Sequence, residues 1–191
     1  MTKTLTTRED QIKQEPKWSS PVIQLDDVEP RWFAVYTMAK REKMVAKRLE
    51  QKGIECYLPI QHVTRYYTRK VKHLELPLIR GYVFTRITKK QYVPVLETPD
   101  VVNYVKFNKN LIAIPDTEID IIRRVVGDKL DAHVEPLSLC IGDEVEIIGG
   151  QLTGVRGKML ARENKHEILL ELTTIGLALR VGVKEEYLRK L

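Results

Sequence analysis

The chain has no apolar run approaching the roughly 18 residues that cross a bilayer as a helix, and its first residues, MTKTLTTREDQIKQEPKWSS, lack the apolar core of a secretory signal. A cytoplasmic protein with no membrane partner is expected. Cysteine is scarce: Cys56 and Cys140 make no C-x-x-C or C-x-x-H spacing, which excludes a disulfide framework and a zinc site and leaves buried free thiols as the default. The four histidines, His62, His73, His133 and His166, show no ligand spacing. A Walker loop and a nucleophile elbow are missing, and no pair of acids is set apart by flanking apolar residues. No catalytic residue, metal site or cofactor is therefore expected, and an enzyme is the least favoured function class.

What is present is a basic middle. The net charge of +6 divides along the chain as −2 over residues 1–30, +10 over 31–127 and −2 over 128–191. A positive field confined to one segment is the electrostatic footprint of a polyanion partner; the bland alternative is a solvated lysine-rich face.

Residues 1–30 are polar and carry Pro16, Pro21 and Pro30 without a sustained period, the pattern of a disordered or loosely docked leader. A domain follows over 31–126. RWFAVYT alternates as a strand, and MAKREKMVAKRLEQKG predicts a helix over residues 39–52 that ends at Gly53. Its exposed face bears Lys40, Arg41, Lys43, Lys47 and Arg48, crowded enough to repel one another unless something negative lies near. IECYLP reads as a short strand, VTRYYTRKVKHLEL as a basic hairpin and PLIRGYVFTRI as a central strand over 81–87. A short helix near KKQYVPVLETPD, strands VVNYVKF and LIAIP, and a helix over 117–126 capped by Asp116 complete the order β-α-β-β-β-α-β-β-α. That order suits an α+β domain, an antiparallel sheet with packed helices. Residues 127–138 read as a linker.

The last segment, 139–191, alternates at Val145 and Ile147, at Ile168, Leu170 and Leu172, and at Leu177, Leu179, Val181 and Val183. Four or five short strands in so few residues bury a core by curling into a small β-barrel, with glycines supplying the corners. The stretch ARENKHEILLEL has helix formers, but the glycines around it each cost about 1 kcal/mol in a helix interior, so a permanently β domain is expected.

GDEVEIIGGQLTGVRGKM resembles a KOW motif, with Gly157 as its fixed glycine, and WFAVYT, the basic helix and PLIRGYVF resemble the amino-terminal (NGN) domain of the NusG family of transcription elongation factors. The resemblance runs over about residues 31–191 and implies an NGN-like domain followed by an SH3-like KOW barrel. Within the family, PLIRGYVF and the amino-terminal extension look more like the specialised antiterminators of the UpxY and RfaH types than the general factor.

The resemblance implies an antitermination factor that acts as a monomer and binds RNA polymerase. Tyr36, Ile79, Tyr82 and Phe84 would line an apolar depression for the clamp helices of the β′ subunit, as buried aromatics anchor interfaces. Gln91, Tyr92 and Val93 would meet the β gate loop. Lys40, Arg41, Lys43 and Lys47, with Arg65, Arg69, Lys70 and Lys72 of the hairpin, would take non-template DNA or nascent RNA, assisted by stacking on Tyr66 and Tyr67. Leu152, Ile175 and Leu177 would form a docking face for ribosomal protein S10 or another partner.

Two departures qualify the match. Arg80 replaces the proline of the family's phenylalanine-proline-glycine motif, and Thr174-Ile175-Gly176-Leu177 lacks the aromatic and arginine with which general factors meet Rho and S10. The UpxY likeness implies control of capsular polysaccharide operons. A ribosome-associated RNA-binding KOW protein and the general elongation factor are the competing readings.

Overall fold

The structure is a computed structural model describing residues 21–106, 109–127, 132–136, 142–162 and 165–191; the side chains of residues 136, 161, 162, 165 and 166 are not described. Cys140 and residues 1–20 of the expected leader lie outside the described residues.

The first sheet is built around β1 (Arg31–Thr37), whose alternation sends Phe33 and Val35 to one face and Trp32, Ala34 and Tyr36 to the other. Its neighbours are β5 (Tyr82–Ile87), β2 (Glu55–Tyr57) and β6 (Val101–Tyr104), all antiparallel, in the order β2-β5-β1-β6. Helix α1 (Glu42–Gln51) starts three residues later than expected, because Lys40 takes a positive φ of 63° and turns the chain before Arg41 caps it. Val45, Ala46 and Leu49 of α1 share a buried cluster with Phe33, Val35, Val83 and Ile87. Val95 of the short α2 (Tyr92–Leu96) joins the same cluster.

The opposite face of this sheet belongs to α3 (Asp116–Gly127). Its Ile119, Ile122 and Val125 share a cluster with Trp32, Ala34 and Phe84. Trp32 Nε1 donates to Asp116 Oδ1 at 2.9 Å, and the Arg123 guanidinium lies 5.5 Å from the centre of the Trp32 ring and 5.3 Å from that of Tyr57. These contacts fix where the helix sits along the sheet.

Several expectations change. LIAIP is not a strand: it makes only the isolated bridges Ile23↔Leu111 and Trp32↔Ile114. The hairpin β3 (Ile60–Tyr67) and β4 (Lys70–Pro77) forms a two-stranded sheet of its own. Residues 21–30 are docked, with backbone bonds exchanged between Val22, Gln24 and Leu111 and an Arg31–Asp26 ion pair at 3.3 Å. The half-buried Cys56 thiol donates to the Ala46 carbonyl, and burial, with Glu50 and Glu55 adding to it, pushes its pKa up to about 11. It stays protonated at neutral pH.

The carboxyl-terminal segment forms a six-stranded antiparallel sheet in the order β12-β8-β9-β10-β11-β7. Its strands are β7 (Ala132–Pro136), β8 (Glu144–Ile147), β9 (Arg156–Arg162), β10 (Lys165–Leu172), β11 (Leu177–Gly182) and β12 (Leu188–Lys190). Strand β7 lies inside the segment read as linker and pairs with β11, so that segment contributes to the sheet. The described residues of ARENKHEILLEL are in strand form, 161–162 on β9 and 165–172 on β10. Among the described residues no helix is long and apolar enough to cross a membrane.

Gly157 shows why the KOW-like stretch needs glycine, and the reason is space rather than a turn. It pairs with Val145, and a Cβ there would sit 2.5 Å from Ile168 Cγ2 and 2.6 Å from the Leu169 carbonyl oxygen. Overpacking of this kind costs about 1–3 kcal/mol. Gly157→Ala should lower the urea midpoint of the carboxyl-terminal sheet accordingly, followed by the fluorescence of Tyr187 in a protein whose other tyrosines are Phe; an unchanged midpoint would show that the sheet can relax around the methyl.

Candidate functional site

At the end of the first sheet beyond the reach of Trp32, two tyrosines stand opposite each other. Tyr36 and Tyr82 are register partners on β1 and β5; their ring centres are 4.7 Å apart, and the Tyr82 hydroxyl donates to that of Tyr36 at 2.9 Å. Burial, with the Tyr36 hydroxyl reinforcing it, holds the Tyr82 phenol well above its usual range, so the donor proton is retained. Tyr36 is 40 % exposed and Tyr82 half-buried, which makes the pair an amphipathic shelf with apolar ring faces and paired hydroxyls.

A buried carboxylate sets the position of this shelf. Glu42, the first residue of α1, is buried and its Oε1 accepts from the Gly81 N–H at 2.8 Å. Gly81 takes φ +77° and also gives its carbonyl to the Thr37 N–H, tying the turn before Tyr82 to the end of β1. In the sequence Glu42 reads as an ordinary acidic residue in a helix's first turn, and nothing there distinguishes it as the anchor of the turn.

Ile79 and Phe84, expected beside the two tyrosines in a surface depression, are core residues at 1 % and 0 % exposure. Phe84 sits on the central strand between Ala34 and Tyr57, on the face that α3 covers. Gln91, Tyr92 and Val93 are associated with the other side of the sheet. Gln91 accepts from the Thr88 N–H as part of a capping box, and Tyr92 stacks on Tyr104 with ring centres 4.6 Å apart. Val93 remains 54 % exposed.

Two of the basic residues of α1 are engaged in ion pairs. Lys40, Arg41 and Lys47 are exposed, whereas Lys43 makes a 2.9 Å bond to Glu75 of the hairpin and holds that carboxyl below its ordinary range. Arg48 pairs with Asp100 and donates to the Pro99 carbonyl, so it braces α1 against the segment before β6. Arg65, Arg69, Lys70 and Lys72 are all exposed on the hairpin.

The expected docking face of the carboxyl-terminal sheet is already engaged. Leu152 and Ile175 are buried at 3 % and 8 %, in the cluster that contains α3, and Leu177 packs partly buried against it. Glu118 Oε1 accepts from Thr173 Oγ1 at 3.1 Å, Thr174 N at 3.2 Å and Thr174 Oγ1 at 2.9 Å, while Arg124 Nη1 donates to the Thr153 carbonyl at 3.3 Å. Among the described residues no group of three or more His, Cys, Asp or Glu is placed to hold a metal ion.

Residues 30–123, the segment carrying the tyrosine shelf, the hairpin and most of α3, match the family model described as transcription termination factor NusG. The amino-terminal domain is similar to the NusG family. A solved structure concerned with domain interaction in Thermotoga maritima NusG aligns at TM-score 0.55 and 20 % identity, covering 85 % of this chain and 98 % of that one, which supports the fold across both parts. A crystal structure of the MjSpt4:Spt5 complex aligns at 21 % identity over 84 % of this chain and 96 % of that one, with a TM-score of 0.29. No curated protein matches the chain significantly.

The amino-terminal domain thus meets the carboxyl-terminal sheet through α3, and one carboxylate oxygen takes three donors there. Hydrogen bonds to a charged group contribute about 1.5–3 kcal/mol each at most, and not additively. Glu118→Ala should release the carboxyl-terminal sheet from α3, read as faster tumbling of residues 165–191 in 15N relaxation. Unchanged relaxation would mean that the apolar contacts of Leu152 and Ile175 hold the two parts together without it.

Proposed function

We propose that this protein is a transcription elongation and antitermination factor that binds RNA polymerase through its NusG-like domain. The observation that carries the reading is the Tyr36–Tyr82 shelf: two aromatic side chains, one exposed and one half-buried, at one end of the sheet face that α3 packs on, with the turn before Tyr82 held by Glu42 through Gly81. Rigid aromatics partly open to solvent are the groups that anchor protein interfaces. The partner is the clamp-helix tip of the β′ subunit. Val93, on the far side of the domain, offers a second contact for the β gate loop, so that one small domain bridges the polymerase cleft and favours processive transcription. Ile79 and Phe84 belong to the buried cluster against which Tyr82 packs.

The exposed basic residues of α1 and the hairpin serve the displaced non-template DNA strand, the polyanion nearest such a bridge. The finer reading is a specialised antiterminator of the UpxY or RfaH type, acting on particular operons such as those for capsular polysaccharide. Its support is the resemblance of PLIRGYVF and the sequence Thr174-Ile175-Gly176-Leu177, which lacks the aromatic and arginine of general factors. The protein works in the cytoplasm as a monomer, without cofactor or catalysis.

Changing both shelf residues, Tyr36→Ala and Tyr82→Ala, should weaken capture of RNA polymerase by at least about thirtyfold, the loss of about 2 kcal/mol or more at an interface anchor, while the circular dichroism spectrum stays that of the parent. Full capture by a folded double variant would refute the shelf as the contact. Capture of ribosomal subunits in place of polymerase by the parent protein would favour the ribosome-associated reading.

A further inference from the structure

The tyrosine shelf continues across the first sheet to its open edge. Strand β1 sets Tyr36 between Tyr82 of β5 and Asn103 of β6, and because opposed residues of an antiparallel pair share a face, the three form one row. Strand β6 is the last of its sheet, so Asn103 ends the row at the rim. Its Oδ1 accepts from the Tyr104 N–H at 2.8 Å, which leaves the NH2 group of this exposed residue without an acceptor among the described residues. The Tyr36 hydroxyl is in the same condition. It already accepts the Tyr82 proton at 2.9 Å, and its own proton meets no acceptor among the described residues. Arg80, exposed in the turn that leads into Tyr82, likewise has no ion pair or hydrogen bond there.

The carboxylates that border this end of the sheet are engaged. Glu42 is buried on the Gly81 N–H, and Asp100, whose carbonyl holds the Met38 N–H at the end of β1, pairs through its side chain with Arg48. The rim of the shelf thus offers two neutral donors and a cation and no free carboxylate. We infer that the segment seated on the shelf brings an acidic side chain, whose carboxylate accepts from the Tyr36 hydroxyl and the Asn103 amide and faces Arg80. A carboxylate has two oxygens for the two donors and a charge for the guanidinium, and hydrogen bonds to an ionised acceptor are stronger than neutral ones. A backbone carbonyl, with one oxygen and no charge, would leave Arg80 unmatched. The ring faces of Tyr36 and Tyr82 remain for the apolar neighbours of the acid. Adhesion comes from the rings and selection from the row: a helix tip with Lys or Arg in place of the acid is rejected by Arg80 and by two donors left unpaired.

The inference rests on the polymerase contact of the proposed function and names what the shelf selects. Its test measures the affinity of the full-length protein for RNA polymerase by biolayer interferometry, with circular dichroism to confirm that each variant is folded. Tyr36→Phe, which keeps the ring and loses the proton, should weaken binding at least about tenfold, the loss of one hydrogen bond to a charged group. Asn103→Asp exchanges a donor for a charged acceptor of the same shape, so it should weaken binding more than Asn103→Ala, which only removes the donor. Arg80→Glu should weaken binding as well, and Lys in place of one acidic residue of the clamp-helix tip should restore most of that loss. The assignment is overturned if Tyr36→Phe binds as the parent does, if Asn103→Asp binds at least as well as Asn103→Ala, or if no single acid-to-Lys change on the tip restores Arg80→Glu. Where any of these occurs while Tyr36→Ala with Tyr82→Ala still loses capture, the shelf remains the polymerase contact and only its selection of an acid is refuted. Full capture by that double variant refutes both.

Discussion

Helix α3 is packed on both of its sides, and that constraint organises the molecule. With 3.6 residues per turn, Arg123 and Glu118 point in roughly opposite directions. Arg123 lies over Trp32 and Tyr57 of the first sheet, and Glu118 accepts from Thr173 and Thr174 of the carboxyl-terminal segment. A helix with one apolar stripe would leave the second sheet without an attachment. Here a buried carboxylate on the other side accepts from a backbone N–H and two hydroxyls of the carboxyl-terminal segment, and so ties that segment to the helix.

The same helix decides which parts of the first sheet are available to a partner. Anchored by Asp116 at Trp32, it covers the face as far as Phe84 and stops short of Tyr36, which stays exposed with Tyr82 beside it. The shelf is thus open while the carboxyl-terminal sheet is docked, and Leu152 and Ile175 are the surfaces that docking hides. A partner for the carboxyl-terminal sheet at that place would have to displace α3; a partner for the shelf would not.

Much of this was legible in the sequence. Alternation identified β1, β5 and the strands of the last segment, and the helices appeared close to their observed limits, because a half-buried strand and an amphipathic helix leave periods of two and 3.6 in the pattern. What failed depended on partners distant in sequence. Ile79 and Phe84 read in the sequence as interface residues because an apolar residue at an interface and one in a core are the same letter; only the buried cluster they share with α3 separates the two. Glu42 and Glu118 passed unnoticed since a carboxylate in a helix's first turn is ordinary, and their acceptor roles come from Gly81 and Thr174, each more than thirty residues away along the chain. AHVEP looked like linker because its pairing with β11 leaves no period in five residues. Tyr66 and Tyr67, both expected to stack on bases, stand on opposite faces of the hairpin, which only its register makes definite.

The central claim is that the Tyr36–Tyr82 shelf receives the polymerase while α3 still holds the carboxyl-terminal sheet. Site-specific photo-cross-linking tests it most directly: benzoylphenylalanine in place of Tyr36, and as a control in place of Val28, which is 85 % exposed in the docked part of the leader, in the full-length protein with RNA polymerase. The account predicts an adduct with the β′ clamp helices from position 36 and none from position 28, of equal yield with and without the Glu118→Ala change. An adduct that forms only after Glu118→Ala, or none from position 36 while the protein stays bound, would contradict it.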